Sequence, residues 1–296
     1  MKYLIHALVV TIGIASANIA FSQNGSGYQK QIDEWHAKRI SSLKADNGWL
    51  NLVGLYWLDD GRNSFGSNKQ NKIVFPQGTI TELAGYFVRS GNTVKLIANE
   101  NAHIKVNNEQ VKEALIFTDS AQAPVVSSGD LRWTIIKRGD KIGVRLRNLK
   151  SSAAIDFKGV PRFAVDSFWR IAATLQPAGN GANILITNVL GQTSVQKSPG
   201  KLVFKFNGAQ YSLDALEEGN ELFIIFADAT SGSTTYPSGR FLSAKKPDAD
   251  GHTVIDFNKA YNPPCAFTDY ATCPLPPKQN DLPFPVTAGE KYDGHH

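Results

Sequence analysis

The side chains best suited to chemistry gather in two stretches of the last third of the chain. Asp228, Thr230 and Ser231 directly follow Glu221 to Ala227, an apolar run that reads as a buried strand, and Tyr236 and Arg240 come soon after. Asp256, Asn258 and Tyr261 form the second stretch, with Asn262 next to them. A loop at the end of a sheet can present such groups to a ligand. Arg240 offers a planar fork matched to a carboxylate or phosphate. Asp228 or Asp256 would orient that ligand or act as a general base. Tyr236 and Tyr261 would supply aromatic walls and a hydroxyl. The competing reading makes Arg240 a structural partner of Asp228 or Asp256 that holds the tail down, because ion-pair networks commonly serve structure.

Cys265 and Cys273 are the only cysteines. In an exported chain, two cysteines invite one disulfide. Closing so short a loop adds roughly 2–3 kcal/mol on the chain-entropy model. Inert thiols, or a thiol activated by a nearby base or cation, are the alternatives. Two thiolates and His252 lack the close paired spacing of a structural zinc site. Asp248-Ala249-Asp250-Gly251 carries only the start of a calcium loop and is read more simply as a turn. No metal and no cofactor are therefore expected. A serine hydrolase would need a Gly-x-Ser-x-Gly elbow, which is absent; Ser41-x-x-Lys44 and Ser194-x-x-Lys197 lack the Lys-Thr-Gly partner. His36, His103, His252, His295 and His296 stand in no recognisable catalytic setting. Without a matched nucleophile and base, the sequence leaves enzymatic activity open.

Several elements must position these groups. Met1-Lys2-Tyr3, an apolar stretch to Ala20 and the small-x-small exit Ala20-Phe21-Ser22 read as a signal peptide over 1–22, cleaved near Ser22. That predicts a periplasmic or secreted protein with no membrane span in its mature part. The formal net charge is +5, but Lys and Arg are interleaved with Asp and Glu rather than gathered into a stripe, which argues against nucleic acid as a partner. Within 23–47, Ile32, Trp35, Arg39, Ile40 and Leu43 recur near helical spacing and predict one amphipathic helix, packed through Trp35 and Ile40. From Gly48 onward, short β-branched and aromatic runs alternate with turn residues, which predicts strands. Gly139-Asp140 and Asn207-Gly208 each predict a hairpin, the latter with a type I′ turn. A boundary near Asn148 to Ser152 divides the body into 48–150 and 151–296, with one continuous β body as the alternative. Beyond Asn262 the prolines deny ladder hydrogen bonds. Phe267, Leu275, Leu282 and Phe284 make that tail a strap wrapped over the body rather than a flexible linker.

Particular blocks carry a resemblance. Gly48-Trp49-Leu50 to Tyr56-Trp57-Leu58, Phe226 to Gly232, and Tyr236 with Gly239-Arg240-Phe241-Leu242 are three of them. Asp256 to Phe267 is the longest, and Tyr270 to Pro276 follows it closely. Together they resemble the bacterial domain-of-unknown-function family 1684, from about Trp35 to Lys291. The resemblance implies that the last block is the family's signature region, and it implies no activity. Separately, Gly61-Arg62-Asn63-Ser64-Phe65-Gly66-Ser67 with Lys72-Ile73-Val74-Phe75-Pro76 is similar to the opening of a forkhead-associated β-sandwich. Ser67 stands where that fold commonly carries a phosphate-gripping basic residue, and the downstream Ser-x-x-His element is missing. The resemblance thus implies a sandwich shape without phosphopeptide recognition.

The expectation is an all-β protein: an N-terminal helix, a forkhead-associated-like sandwich, then a barrel-like or sandwich β domain with a Pro-rich C-terminal strap. The expected function is the binding of a small anionic ligand or glycan fragment in the cell envelope. A hydrolase using Asp228 or Asp256, and a scaffold binding an envelope partner, are the rivals. Oligomeric state is left open.

Overall fold

The computed structural model describes residues 15–179 and 182–294, and for 15–25 the backbone alone. The signal-peptide reading of 1–22 thus lies for the most part outside the described residues. Among the described residues, no helix is long and apolar enough to cross a membrane.

One long helix, α1 (Ala15–Lys44), precedes the strands. Its packed positions follow the helical period, as side chains three and four apart share a face. Ile32 and Leu43 are the fully buried anchors. Trp35 and Ile40, expected to carry the packing, are only half-buried. Trp35 stands beside the Tyr261 ring with centroids 6.3 Å apart, at the edge of a groove rather than in the core.

The first β region is a two-sheet sandwich. One sheet holds β1 (Leu52–Trp57), β6 (Lys105–Val106), β7 (Glu109–Gln110), β9 (Val126–Ser128), β10 (Leu131–Arg138) and β11 (Lys141–Asn148), in the order β1-β11-β10-β9-β6-β7. The other holds β2 (Gly61–Gly66), β3 (Ile73–Val74), β4 (Gly85–Ser90), β5 (Thr93–Ala98) and β8 (Glu113–Phe117), in the order β3-β2-β4-β5-β8. Alternation drives the packing: in β10, Leu131, Trp133 and Ile135 turn inward while Arg132, Thr134 and Ile136 face out. Phe65, Phe75, Phe87 and Trp133 interlock in the shared core. The Gly139-Asp140 hairpin joins β10 to β11, with Arg138 opposite Lys141.

A short helix, α2 (Ser152–Ile155), follows, capped by the Ser151 hydroxyl accepting from the Ala154 amide. The second β region then winds into a nearly closed barrel. Its strands are β12 (Arg170–Pro177), β15 (Gly200–Phe206), β16 (Ala209–Glu218), β17 (Glu221–Asp228), β18 (Arg240–Lys245) and β19 (His252–Asp256), ordered β18-β17-β16-β15-β12-β19. The end strands β18 and β19 lie side by side, tied by the Thr253 hydroxyl donating to the Lys245 carbonyl at 2.8 Å. A separate hairpin, β13 (Asn183–Thr187) with β14 (Thr193–Lys197), projects between β12 and β15 in sequence. Asn207 (φ 48°) and Gly208 (φ 80°) turn β15 into β16, both at the positive φ that a type I′ turn needs. The barrel core is built on Trp169, Leu202, Phe204, Phe226, Leu242 and Phe257.

The Pro-rich tail is ordered against this barrel. β20 (Asp281–Leu282) pairs in parallel with the end of β17, and Val286 and Ala288 sink fully into the barrel core. Tail and barrel are thus one packed body. Successive antiparallel pairings put the end of β17, the start of β18 and the end of β19 at the same rim of the barrel. Asp228, Arg240 and Asp256 all stand on that rim.

Candidate ligand-binding groove

The groups read from the sequence divide into three neighbourhoods. The first is sealed. Arg240 and Asp228 form an ion pair, Nη2 to Oδ2 at 2.8 Å, with both side chains at 0 % exposure. Arg240 Nη2 also donates to the Val286 carbonyl at 2.9 Å, and Nη1 donates to the carbonyls of Ala288 and Glu290. Asp228 Oδ1 accepts from the Thr230 amide at 2.8 Å, the Thr230 hydroxyl at 2.6 Å and the Val286 amide at 3.1 Å. Ser231 Oγ accepts from the Asp228 amide, and Thr230 bonds the Thr235 hydroxyl. Every one of these contacts fastens the strap or the turn after β17. Arg240 is therefore committed to the strap, and at 0 % exposure its unpartnered Nε is out of reach of a ligand anion. Asp228 has no route to a substrate proton.

The strap is fastened a second time from the helix. Arg39 of α1 bonds Glu290 (Nε to Oε1, 3.3 Å) and the Asn262 carbonyl (2.9 Å), while Glu290 Oε2 accepts from the Asn262 amide at 2.7 Å. Burial pushes the Glu290 carboxyl above its ordinary value, and the Arg39 cation pulls against that.

The second neighbourhood borders a groove, with Asp256 and Asn258 themselves buried at its edge. Asp256 ends β19, and its Oδ1 accepts from the Tyr28 hydroxyl at 2.7 Å and from the Asn258 amide at 3.2 Å. Asn258 Nδ2 reaches the Tyr28 oxygen at 2.9 Å and the Asp166 carbonyl at 2.8 Å. Burial, then the Asp256 hydrogen bond, raises the Tyr28 phenol well above its usual range, so it stays a donor. Asp256 and Tyr261 line a groove of about 860 Å³ between one face of α1 and the outside of the β18–β19 seam. Tyr28, Gln31, Trp35, Lys38, Arg39 and Ser42 supply the helix wall at three- and four-residue spacing. Tyr261 forms the aromatic floor: Arg39 lies 4.8 Å from its ring centroid, and burial pushes its phenol up to about 12.

The electrostatics of this groove are lopsided. Lys38, Arg39, Arg170, Lys245, Lys246 and Lys259 line it, against Glu221, Asp248 and Asp256. Arg39 is spent on Glu290, and Lys259 stands 3.9 Å from Asp256. Lys38, Arg170, Lys245 and Lys246 enter no ion pair among the described residues. Sequence reasoning missed most of this wall. The available signals were the repeat of Tyr28, Gln31, Trp35, Lys38 and Ser42 on one helix face and the paired lysines closing a strand.

The third neighbourhood holds Tyr236, Cys265 and Cys273. The Tyr236 hydroxyl donates to the Cys265 carbonyl at 3.1 Å, its ring meets Tyr292 edge-on at 4.9 Å, and burial pushes it up to about 12. The Cys265 amide donates to Cys273 Sγ at 3.0 Å, with both thiols free. Asp248 Oδ1 accepts from the amides of Asp250 and His252, so that run is a turn held by its own first side chain. Among the described residues, no group of three or more His, Cys, Asp or Glu side chains is placed to hold a metal ion.

Residues 155–291 match the model of the family described as a protein of unknown function, DUF1684. No curated protein matches. Among solved structures, the uncharacterized protein from gene locus rrnAC0354 of Haloarcula marismortui is 34 % identical, over 48 % of this chain and 80 % of that one, with a TM-score of 0.41. Two forkhead-associated domains match at 16 % identity over 31 % of this chain, with TM-scores of 0.23. One comes from an analysis of phosphothreonine-dependent interactions and is covered to 92 %. The other, the FhaA domain complexed with the intracellular domain of Rv3910, is covered to 97 %. Likeness at that level carries neither the fold of the first β region nor a phosphopeptide role. Through residues 155–291, this chain belongs to the DUF1684 family of proteins of unknown function.

Proposed function

We propose that this protein binds a small acidic glycan fragment in the groove between α1 and the β18–β19 seam, and does so in the cell envelope after export. The observation that carries this reading is the pairing of an aromatic surface with uncommitted cations. Trp35 offers a ring face for the apolar face of a sugar, beside Tyr261, one face of which Arg39 covers. Lys38, Arg170, Lys245 and Lys246 offer charge that enters no ion pair among the described residues. Asp256, held by Tyr28 and Asn258, supplies an oriented acceptor for a sugar hydroxyl. A hydrolase has less support. Asp228 is sealed, and Asp256 already spends Oδ1 on the Tyr28 hydroxyl and the Asn258 amide.

Titration calorimetry with a digalacturonate and a neutral disaccharide tests the site. The acidic sugar should bind, more weakly as salt rises, and the neutral one should bind poorly. Lys245→Glu with Lys246→Glu, and separately Trp35→Ala, should weaken binding while the fold stays intact. Absence of any binding by the acidic sugar to the wild type would end the proposal. Export is checked by sequencing the amino terminus of protein taken from the envelope fraction. A start at Gln23 supports it, and an intact Met1 in the cytosol ends it.

A further inference from the structure

We propose that Cys265 and Cys273 are a reversible dithiol–disulfide couple, with Cys265 as the attacking sulfur and Cys273 as the resolving one. The geometry is already assembled. The Cys265 amide donates to Cys273 Sγ at 3.0 Å, which brings the end of the 265–273 loop back against its beginning. The two sulfurs differ in access: Cys265 is half-buried, whereas Cys273 lies at 5 % exposure among Phe241, Ile225 and Ala271. A disulfide reagent therefore meets Cys265 first.

Their acidities differ in the same sense. The hydrogen bond from the Cys273 thiol draws Cys265 below its ordinary value, and the same bond together with burial raises Cys273. The thiolate is the nucleophile in exchange, so the outer sulfur is the one prepared to attack. Arg145 of β11 stands near Cys273 and favours its anionic form, which eases the second step. The guanidinium lies over Trp49 at 5.3 Å, and its Nε is buried with no hydrogen-bond partner.

The reaction balances with a disulfide as oxidant. Cys265 thiolate attacks one sulfur of the oxidant, forming a mixed disulfide and expelling one thiolate. Cys273 then gives up its proton and attacks Cys265 Sγ, and the second thiolate leaves. The protein loses two protons and two electrons, and the oxidant becomes two thiols. The loop that this bond closes joins the two β regions. The Thr268 hydroxyl donates to the Leu52 carbonyl at 3.0 Å, Arg138 reaches Thr272, and the Val189 amide donates to the Cys273 carbonyl. Oxidation would thus staple the segment that seats the strap's entry between sandwich and barrel.

The test equilibrates the full chain with glutathione disulfide, quenches in acid, alkylates, and reads intact and peptide masses. The wild type should lose both alkylation sites together, with 265 and 273 linked, and regain both on reduction. Cys273→Ser should trap one glutathione on Cys265, and Cys265→Ser should leave Cys273 at least about tenfold less modified, as its burial dictates. Full alkylation of both cysteines in the equilibrated wild type overturns the couple, with no need for either variant to fold. A preferred adduct on Cys273 overturns the order of attack.

Discussion

Two acid–base pairs stand on the same rim of the barrel and meet opposite fates. Asp228 with Arg240 is sealed at 0 % exposure, and Asp256 with Lys259 opens into the groove. The difference lies in what covers them. The strap crosses the first pair and turns three of its own carbonyls onto Arg240, so a guanidinium with several donors becomes a backbone clamp. No strap crosses the second, where Tyr28 of α1 bonds Asp256 and the space beside it is lined by cations. Charged side chains at a sheet end are thus ambiguous until the covering segment is placed.

The largest expected effect breaks the sealed side. Arg240→Met leaves the buried Asp228 carboxylate without its cation and three strap carbonyls without a donor, and should cost about 3–5 kcal/mol in denaturant unfolding. Asp228→Asn should be costly as well, because one amide oxygen cannot serve both Arg240 and the three donors that Oδ1 accepts from. The double variant should be less destabilised than the sum, with a coupling of about 0.5–3 kcal/mol. On the open side, Lys259→Ala should cost under about 1 kcal/mol, as a 3.9 Å contact made by a part-exposed lysine contributes little. Equal losses on both sides would erase the distinction.

Next in size is the strap itself. Gly289 has φ +77°, and an added Cβ would sit 2.4 Å from the Ala260 carbonyl oxygen. Gly289→Ala should cost about 1–3 kcal/mol through strain and displacement of the strap. It should also speed proteolysis within 281–291, because the clamp carbonyls move with it. Unchanged protection of that segment would mean that the strap is not held where Arg240 holds it.

The third prediction separates stability from binding. Lys245→Glu with Lys246→Glu removes groove cations that enter no ion pair among the described residues, so unfolding should shift by no more than about 1 kcal/mol, part of it from Glu221 opposite position 245. Affinity for the acidic disaccharide should fall about tenfold or more, equal to about 1.4 kcal/mol. A large stability change would show these lysines to be structural, like Arg240.

The sequence made legible what is local or periodic. Asn207-Gly208 announced its turn because so few residues tolerate positive φ there. Asp248 announced another because its carboxylate can cap the amides two and four residues on. The strap was legible as a Pro-rich run too apolar to stay in water. The three-way division of the site residues was not. Tyr28 meets Asp256 across 228 positions, and Arg39 meets Glu290 across 251. No spacing rule reaches so far, and Glu290 looked like any acidic residue near a terminus. The type of Arg240 suggested an anionic partner; Asp228 is that partner, as the structural reading allowed, and the remaining acceptors are strap carbonyls.

The smallest effect concerns how α1 is held over the groove. His36 lies half-buried on that helix, facing Asp33 on its own element and Arg162 from the loop before β12, with Arg39 one turn on. Burial, then the Arg162 and Arg39 cations, keeps its imidazole below the ordinary 6.5. As pH falls below that value, the unfolded chain takes up a proton that folded His36 resists, so its contribution to stability falls. Glu290 works the other way. Its raised carboxyl takes up a proton in the folded state first, so its contribution rises as pH falls. Asp33, held low by Arg162, keeps its contribution until pH drops toward the ordinary Asp range. Between pH 7 and pH 5, His36→Asn should therefore lose less stability than the wild type in parallel denaturant titrations. Identical slopes would mean that His36 titrates as it does in water. The helix wall of the groove would then be free of the buried contact assigned to it.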